Sequence, residues 1–312
     1  MKTISVVIPV YNENEVIKSS YNIIKKVLEK LTQYDYEIIF VNDGSTDGTL
    51  DFLQEISKEN EKVKIISFSR NFGHQAAVTA GIQYVTGDAI VIIDADLQDP
   101  PELLPEMIEL WEKGNEVIYG QRKARKGESA FKILTAKMFY CALNNLSDVE
   151  IPKDTGDFRL VDRKVIDVVN SMPEHNKFLR GLFSWVGFKQ KAYLYERKPR
   201  KAGKTKYPFK KMWKLALDGI FSFSTKPLKI VGGLGFLTII LSIGILVYSL
   251  ISYALNLNEL VPGWTSIMVA ITLFSGVQLL SIWVISEYIA RIYDETRNRP
   301  AYIIDKKINI KD

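Results

Sequence analysis

Two aspartates that follow an apolar run are the residues of this sequence best suited to chemistry. Ala89 to Ile93 is a stretch of small and β-branched apolar residues, and it stops at Asp94 and Asp96, which are one residue apart. Such a run is typical of a buried parallel strand whose carboxyl end opens onto a ligand crevice. Carboxylates there hold Mg²⁺ together with substrate phosphates. Taken alone, the motif also fits acids that cap a turn or the next helix.

The segments around these acids alternate between strand and helix patterns. Apolar runs predict strands at 4–9, 36–41, 63–67, 89–93 and 116–119, and amphipathic stretches predict helices at 15–31, 49–59 and 75–84. Another helix is expected to begin at Pro100 and Pro101, because a proline is tolerated in the first turn. This alternation predicts a parallel α/β sheet.

Three of the predicted strands deliver polar residues to one edge of the sheet. In such sheets the crevice beyond the carboxyl ends is the usual binding site. Asp43, placed before Gly44, would accept hydrogen bonds from a uracil or a ribose. A dinucleotide-binding fingerprint is excluded, because no G-x-G-x-x-G follows the first strand. The three polar groups are Tyr11-Asn12-Glu13, Asp43-Gly44-Ser45 and Asp94-Ala95-Asp96.

Two long uncharged runs predict membrane-spanning helices. No charged residue occurs from Ile230 to Leu255 or from Leu260 to Ser286, and each run exceeds the roughly 20 residues that cross about 30 Å of hydrocarbon. Between Lys189 and Lys214 there are eleven Lys or Arg residues and one acid. Because basic flanks stay on the cytosolic side, both termini and the large domain are expected in the cytosol.

The composition of the chain limits the kinds of partner that it is expected to bind. The net charge of +5 is modest and concentrated near the predicted spans, which favours anionic lipid head groups and argues against nucleic acid. The single cysteine, Cys141, permits no internal disulfide. The apolar run at the start contains Pro9 and is too short for a signal peptide. His74 and His175 lack the spacing of a metal cluster, and neither is given a role.

Six motifs occur along the chain in a specific order, and with them the chain resembles the family 2 glycosyltransferases of the GT-A fold. Within that family it is most similar to the polyprenyl-phosphate type, the bactoprenol glucosyltransferases, and more distantly to dolichol-phosphate mannose synthase. The motifs are Val7-Ile8-Pro9-Val10-Tyr11-Asn12-Glu13, Val41-Asn42-Asp43-Gly44-Ser45, Ser69-Arg70-Asn71-Phe72-Gly73, Asp94-Ala95-Asp96-Leu97-Gln98-Asp99-Pro100, Thr155-Gly156-Asp157-Phe158-Arg159-Leu160 and Arg200-Lys201-Ala202-Gly203-Lys204-Thr205-Lys206.

The resemblance implies a membrane-bound enzyme that moves glucose or N-acetylglucosamine from a UDP-sugar to undecaprenyl phosphate, with inversion at the anomeric carbon and Mg²⁺ or Mn²⁺ as cofactor. The expected location is the cytosolic side of a bacterial plasma membrane, in a multi-pass protein. A homo-oligomer is compatible with the small residues of the first span, such as Gly232 and Gly235.

The resemblance also assigns roles to residues of the motifs. Asp157 matches the family's base, although an acceptor phosphate with a second pKa near 6 is already ionised, so that Asp157 would instead orient the nucleophile or stabilise the oxocarbenium-like centre. The catalytic set is Asp157, Asp96 and Arg159, and the metal set is Asp94, Asp96 and Gln98. The nucleotide-sugar set is Pro9, Tyr11, Asn12, Glu13, Asp43, Ser45, Asn71, Asp94 and Ala95. The acceptor-phosphate set is Arg122, Arg125, Arg200, Lys204 and Lys206.

The expected division of the chain is a GT-A catalytic domain at 1–205, an amphipathic juxtamembrane segment at 206–227, a transmembrane hairpin at 228–289 and a cytosolic tail at 290–312. Two alternatives compete with this interpretation. A processive polysaccharide synthase would carry a Gln-X-X-Arg-Trp motif, which does not occur. A translocase or a non-catalytic scaffold would not need the acidic constellation, and the uncharged spans offer no polar pathway.

Overall fold

One eight-stranded sheet organises the first part of the chain. The computed structural model describes residues 1–123, 152, 155–175, 177–196, 221, 224–254 and 263–310. The strands are β1 (Thr3–Val10), β2 (Asp35–Asn42), β3 (Val63–Phe68), β4 (Ala89–Ile92), β5 (Val117–Arg122), β6 (Thr155–Asp162), β7 (Gln190–Tyr195) and β8 (Ile304–Ile308). The helices are α1 (Asn14–Glu29), α2 (Thr49–Glu59), α3 (His74–Gln83), α4 (Leu104–Glu112), α5 (Arg163–Ser171), α6 (Leu179–Trp185), α7 (Lys226–Ala254) and α8 (Trp264–Thr296).

The centre of the sheet is parallel, as the alternating pattern predicts. β1 pairs in parallel with both β2 and β4, and β2 pairs in parallel with β3. These strands form where β-branched apolar residues are continuous, because side chains on both faces of a parallel sheet are buried. A short 3₁₀ turn at Pro101–Leu103 precedes α4, so the helix predicted at the two prolines begins a few residues later.

The outer strands make this a mixed sheet, less parallel than the sequence predicts. The order is β7-β5-β6-β4-β1-β2-β3-β8. β6 runs antiparallel to β4 and β5, and β8 runs antiparallel to β3. β7 lies parallel to β5. The antiparallel run of β6 carries the Thr155-to-Leu160 motif back beside β4.

Helices cover both faces of the sheet, with alternate residues of each strand facing opposite layers. Ile4, Val6 and Ile8 of β1 belong to the core beneath α1, α2 and α4. Val7 belongs to the opposite core, with α3, α5 and α6. Helix α3 packs closely there, since a Cβ atom on Gly81 would lie 2.2 Å from Val7 Cγ1. This contact holds α3, and therefore its first residue, against the central strands.

Two long helices follow the sheet domain and contact each other. Within the described residues, the stretch Leu273–Thr296 of α8 is long and apolar enough to cross a membrane. Large apolar side chains of α7 are exposed, among them Phe236 and Tyr248. The hairpin is tied at its base, where the Tyr288 hydroxyl donates to the Ser224 carbonyl at 2.6 Å. That α7 forms a second span stays a prediction, and most of the predicted juxtamembrane segment 206–227 lies outside the described residues.

Candidate active site

The loop after β4 presents three oxygen-bearing side chains on its open side. Asp94, Asp96 and Gln98 are partly exposed, whereas the residues between and after them, Ala95, Leu97 and Asp99, are buried. Leu97 has a φ of +56°, and the Gln98 N–H donates to Asp96 Oδ1 at 3.1 Å, so the loop turns tightly. The apolar residues anchor the loop while the polar ones face the crevice.

These three residues fit a hard divalent cation. They supply carboxylate and amide oxygens, which are the ligands of Mg²⁺ and Mn²⁺. Among the residues that the structure describes, no group of three or more His, Cys, Asp and Glu side chains converges tightly enough to hold a metal ion. Mg²⁺ is commonly bound by one or two carboxylates with substrate phosphates completing its shell. The donor set therefore suits a metal that arrives with a phosphorylated ligand.

Cationic side chains from two helices bind the carboxylate of Asp157, which lies in β6. Arg180 of α6 donates from Nε to Oδ1 at 2.7 Å and from Nη2 to Oδ2 at 3.0 Å. His74, the first residue of α3, places Nε2 3.0 Å from Oδ2 of Asp157 and 3.7 Å from Oδ1 of Asp94. The Asp157 side chain is only 11% exposed. A bidentate arginine fixes both the position and the plane of this carboxylate.

The pKa values follow from these contacts. Burial alone would raise the pKa of Asp157, but the charge of Arg180 and the hydrogen bonds from His74 and Arg180 hold it well below its usual range. Burial alone would lower the pKa of His74, but the carboxylates of Asp94 and Asp157 raise it to about 9. Burial, reinforced by neighbouring carboxylates and opposed by His74, raises the pKa of Asp94 to about 6. At neutral pH, Asp157 is therefore an anion and His74 a cation.

The loops after β1 and β2 are locked to each other. The Asn12 N–H donates to Ser45 Oγ at 3.0 Å, and Asn12 Oδ1 accepts from the Thr46 N–H at 2.8 Å. The Glu13 N–H donates to Thr49 Oγ1 at 3.0 Å. Asn12 adopts a φ of +51°, a conformation that asparagine tolerates better than most residues. The predicted nucleotide residues Asn12, Glu13 and Ser45 thus form one connected rim.

Asp43 holds the loop after β3 in place. Its carboxylate accepts from the Phe72 N–H at 2.6 Å and from the Gly73 N–H at 3.0 Å. Burial raises the pKa of Asp43, an effect that these two backbone donors oppose. Asn71 Nδ2 donates to the Asp43 carbonyl at 3.3 Å. Two predicted nucleotide residues, Asp43 and Asn71, are therefore in direct contact.

Of the predicted arginines that the structure describes, Arg159 is buried and Arg122 is partly buried. Arg159 donates to the Gly156 carbonyl at 3.2 Å and lies over the ring of Phe183. Burial lowers the pKa of the Arg159 guanidinium to about 10, which leaves it charged at neutral pH. Arg122 lies beside Gly156, where an added Cβ would be 3.3 Å from its Nη2. Both arginines therefore border the backbone that carries Asp157.

The structure brings most of the predicted residues to one edge of the sheet. Pro9 is buried in β1, and Tyr11, directly after that strand, is partly exposed at this edge. The sequence analysis gave no role to His74, although this residue contacts the site. It also did not identify Arg180. The position of His74 directly after the Ser69-to-Gly73 motif was the available signal, whereas Arg180 carries none. Four predicted acceptor residues lie outside the described part of the chain: Arg125, Arg200, Lys204 and Lys206.

Solved structures with a similar arrangement include glucosyl-3-phosphoglycerate synthase from Mycobacterium tuberculosis in complex with Mn²⁺, UDP-glucose and phosphoglyceric acid. That protein is 18% identical in sequence, with a TM-score of 0.48 over 70% of this chain and 78% of its own. Its complex with Mg²⁺ and UDP has the same identity and TM-score.

The sequence comparisons are stronger and extend over nearly the whole chain. The model of glycosyl transferase family 2 matches residues 5–169. An uncharacterized glycosyltransferase of Bacillus subtilis, YkcC, is 53% identical over 99% of this chain and 95% of its own length. The prophage bactoprenol glucosyl transferase homolog of Escherichia coli is 40% identical over 97% of this chain and 98% of its own. The bactoprenol glucosyl transferase of Shigella phage SfII is also 40% identical, over 97% of both chains. The chain therefore belongs to glycosyl transferase family 2, as a relative of the bactoprenol glucosyl transferases.

Proposed function

We propose that this glycosyltransferase moves glucose or N-acetylglucosamine from a UDP-sugar to undecaprenyl phosphate at the cytosolic leaflet of a bacterial plasma membrane, with inversion at the anomeric carbon. The observation that carries the proposal is that the loop with Asp94, Asp96 and Gln98 lies beside Asp157, whose ionised carboxylate is held by Arg180 and His74. The names of full-length relatives at 40% identity, which include bactoprenol glucosyl transferases, support the choice of acceptor.

The donor would occupy the rim formed by the loops after β1, β2 and β3. Asp94 and Asp96, with Gln98, would hold Mg²⁺ or Mn²⁺. Such an ion supplies Lewis-acid stabilisation of the charge that grows on the departing diphosphate. Asp43 and Asn71 lie next to each other in the rim, where they would face the uridine. This arrangement would bring the leaving group and the reacting carbon beside one another.

Asp157 would act on the acceptor side of the displacement. The second pKa of a phosphate monoester is near 6, so the attacking oxygen is already negative at neutral pH and needs little help from a base. A permanently ionised carboxylate is a poor proton acceptor but stabilises positive charge at the anomeric carbon. Arg180 and His74 keep Asp157 in that state and in one orientation.

Membrane attachment would come from the helical hairpin. Helix α8 contains the stretch that is long and apolar enough to span a bilayer. Apolar side chains along α7, such as Ile239 and Ile243, are exposed. They support a second span, because a contiguous exposed apolar surface is typical of a region that contacts a membrane or a partner. With the basic stretch between Lys189 and Lys214 on the cytosolic side, the site would face a lipid-linked acceptor.

The proposal is tested by transfer of label in membranes that contain the full chain. UDP-[¹⁴C]glucose and UDP-[¹⁴C]N-acetylglucosamine are supplied separately with undecaprenyl phosphate and Mg²⁺ or Mn²⁺. Label is expected in the butanol-extractable lipid with one of the two donors. Asp96→Asn should abolish the signal, whereas Asp51→Asn, at an exposed position of α2, should leave it unchanged. Label that enters a water-soluble polymer instead would contradict the proposal and favour a processive synthase.

A further inference from the structure

The residues that follow the membrane helix α8 return to the catalytic sheet. β8 pairs antiparallel with β3, with Ile308 opposite Ile65 and Ile304 opposite Phe68. At the far end of the strand, Asn309 Nδ2 donates to the carbonyls of Ser57 and Val63, at 2.8 and 2.9 Å. The tail is therefore a structural part of the catalytic domain, although more than 200 residues separate it from β3 in the sequence.

The near end of the tail contacts the loop that follows β3. The Ser69 N–H donates to the Ile303 carbonyl at 3.1 Å. The ring of Tyr302 stacks on Phe68 with centroids 4.9 Å apart and an interplanar angle of 13°. Phe68 in turn makes an edge contact with Phe72 at 5.7 Å. One continuous row of aromatic rings thus links the tail to residues 69–73.

The same loop closes against the nucleotide rim on its other side. Phe72 and Gly73 donate their N–H groups to the Asp43 carboxylate. Gly44 has a φ of +67°, and a Cβ there would lie 2.4 Å from the carbonyl carbon of Arg70. The two loops are thus in backbone contact. A shift of residues 69–73 by a few tenths of an ångström would displace Asp43 and its neighbours.

We infer that the tail contributes to the structure of the donor site, and that Tyr302 is a positioning residue that holds the 69–73 loop in its nucleotide-binding geometry. The inference deepens the proposed function, since it rests on the donor lying at this rim. Without the stack, the loop populates its binding geometry for only a fraction of the time, and the apparent dissociation constant rises by the inverse of that fraction. The acceptor would bind on the Asp157 side, where the bidentate contact from Arg180 holds the carboxylate independently of this loop.

The test compares three variants of the full chain: Tyr302→Ala, Tyr302→Phe and Asn309→Ala. Tyr302→Ala is expected to raise the UDP-sugar KM and the Kd of UDP with Mg²⁺ about two- to tenfold, as for an aromatic pair worth about 0.5–1.5 kcal/mol. The acceptor KM and kcat should stay within about twofold. Tyr302→Phe keeps the ring and loses only the hydroxyl contact to Gln83, so it should restore tight donor binding.

Asn309→Ala is the matched control, because it weakens tail docking at the end remote from the loop. It should lower Tm without changing the UDP Kd. An unchanged UDP Kd in folded Tyr302→Ala would overturn the inference, as would equal rises in Tyr302→Ala and Asn309→Ala. If Tyr302→Ala does not fold, Tyr302→Leu, which fills the space without a stacked ring, gives the same comparison. Because UDP binding is measured without turnover, a wild-type chain that binds UDP but transfers no sugar would refute the proposed function and leave this test intact.

Discussion

Replacement of Asp157 with Asn separates the two roles that a carboxylate at this position is able to play. The change removes one negative charge and leaves the side-chain volume nearly unchanged. In the structure the lost charge is the partner of Arg180 and His74. A hydrogen bond to a charged group contributes about 1.5–3 kcal/mol, so loss of one such contact in the transition state lowers kcat about 10- to 100-fold. The donor KM should change little, because Asp157 does not touch the nucleotide rim.

The pH dependence of kcat/KM then identifies the proton that matters. The contacts of Asp157 hold its pKa well below the usual range, so it is ionised throughout pH 5–8 and contributes no step there. The second ionisation of the acceptor phosphate lies near pH 6, and the pKa of Asp94 is also raised to about 6, so both groups predict a loss of activity as the pH falls through that value. Both wild type and Asp157→Asn should therefore show the same acidic limb, measured as radiolabelled lipid formed at a series of pH values.

Disappearance of the acidic limb in Asp157→Asn, with the limb present in the wild type, would refute this reasoning and make Asp157 a general base. Thermal unfolding provides the control for damage to the fold. Because the folded-state pKa of Asp157 is depressed below its unfolded value of about 3.9, its stabilising effect is fully present above about pH 5 and is lost only as the pH falls through the lower folded value. Asp157 also helps to raise the pKa of His74 from 6.5 to about 9, so the difference in Tm between the two proteins should be largest below about pH 6.5 and should shrink as the pH rises towards 9.

Three further predictions follow from the same site. Arg180→Lys cannot make the bidentate contact and should lower kcat about 10- to 100-fold. Because Arg180 is expected to act through Asp157, the effects of Arg180→Lys and Asp157→Asn should not add. Strict additivity of the two effects in a double-mutant cycle would contradict a shared role. Asp96→Ala should abolish transfer and the metal dependence of UDP binding; full activity in the presence of EDTA would be incompatible with a metal site there. Arg200→Gln and Lys206→Gln, predicted from sequence only, should raise the acceptor KM on the order of tenfold and spare the donor KM; a fall in donor affinity alone would assign these residues to the diphosphate.

The central strands and the position of the acids at their ends could be predicted from the sequence. Continuous apolar runs located β1 to β4 to within one or two residues, because burial on both faces leaves a local signature. The helix expected at 49–59 matches α2 at both ends. The acids at the ends of such strands are positioned by the sheet itself, so Asp43 and Asp94 were identified before their contacts were known.

Apart from β5, the outer strands left no local signal, and neither did the Arg180 side of the clamp around Asp157. β8 has the sequence Ile-Asp-Lys-Lys-Ile, which on its own is typical of a charged surface segment. It becomes a strand because β3 offers a free edge, a fact that depends on the whole topology. His74 and Arg180 stand 83 and 23 residues from Asp157 in the chain. Their meeting depends on how α3 and α6 pack on the sheet, which no periodicity encodes.

Because the proposed nucleophile is already ionised, catalysis depends more on how the two substrates are positioned than on proton transfer. On the proposed function the acceptor is anchored in a bilayer, and the height and angle of the site over the membrane then determine whether its phosphate reaches the sugar. Helix α8 is joined to the catalytic domain by the contact between His175 Nδ1 and Glu295 Oε2, at 2.8 Å, and then by the pairing of β8 with β3. Through Tyr302, the second attachment reaches the nucleotide rim. The same stretch of chain therefore joins the domain to α8 and supports the donor loop.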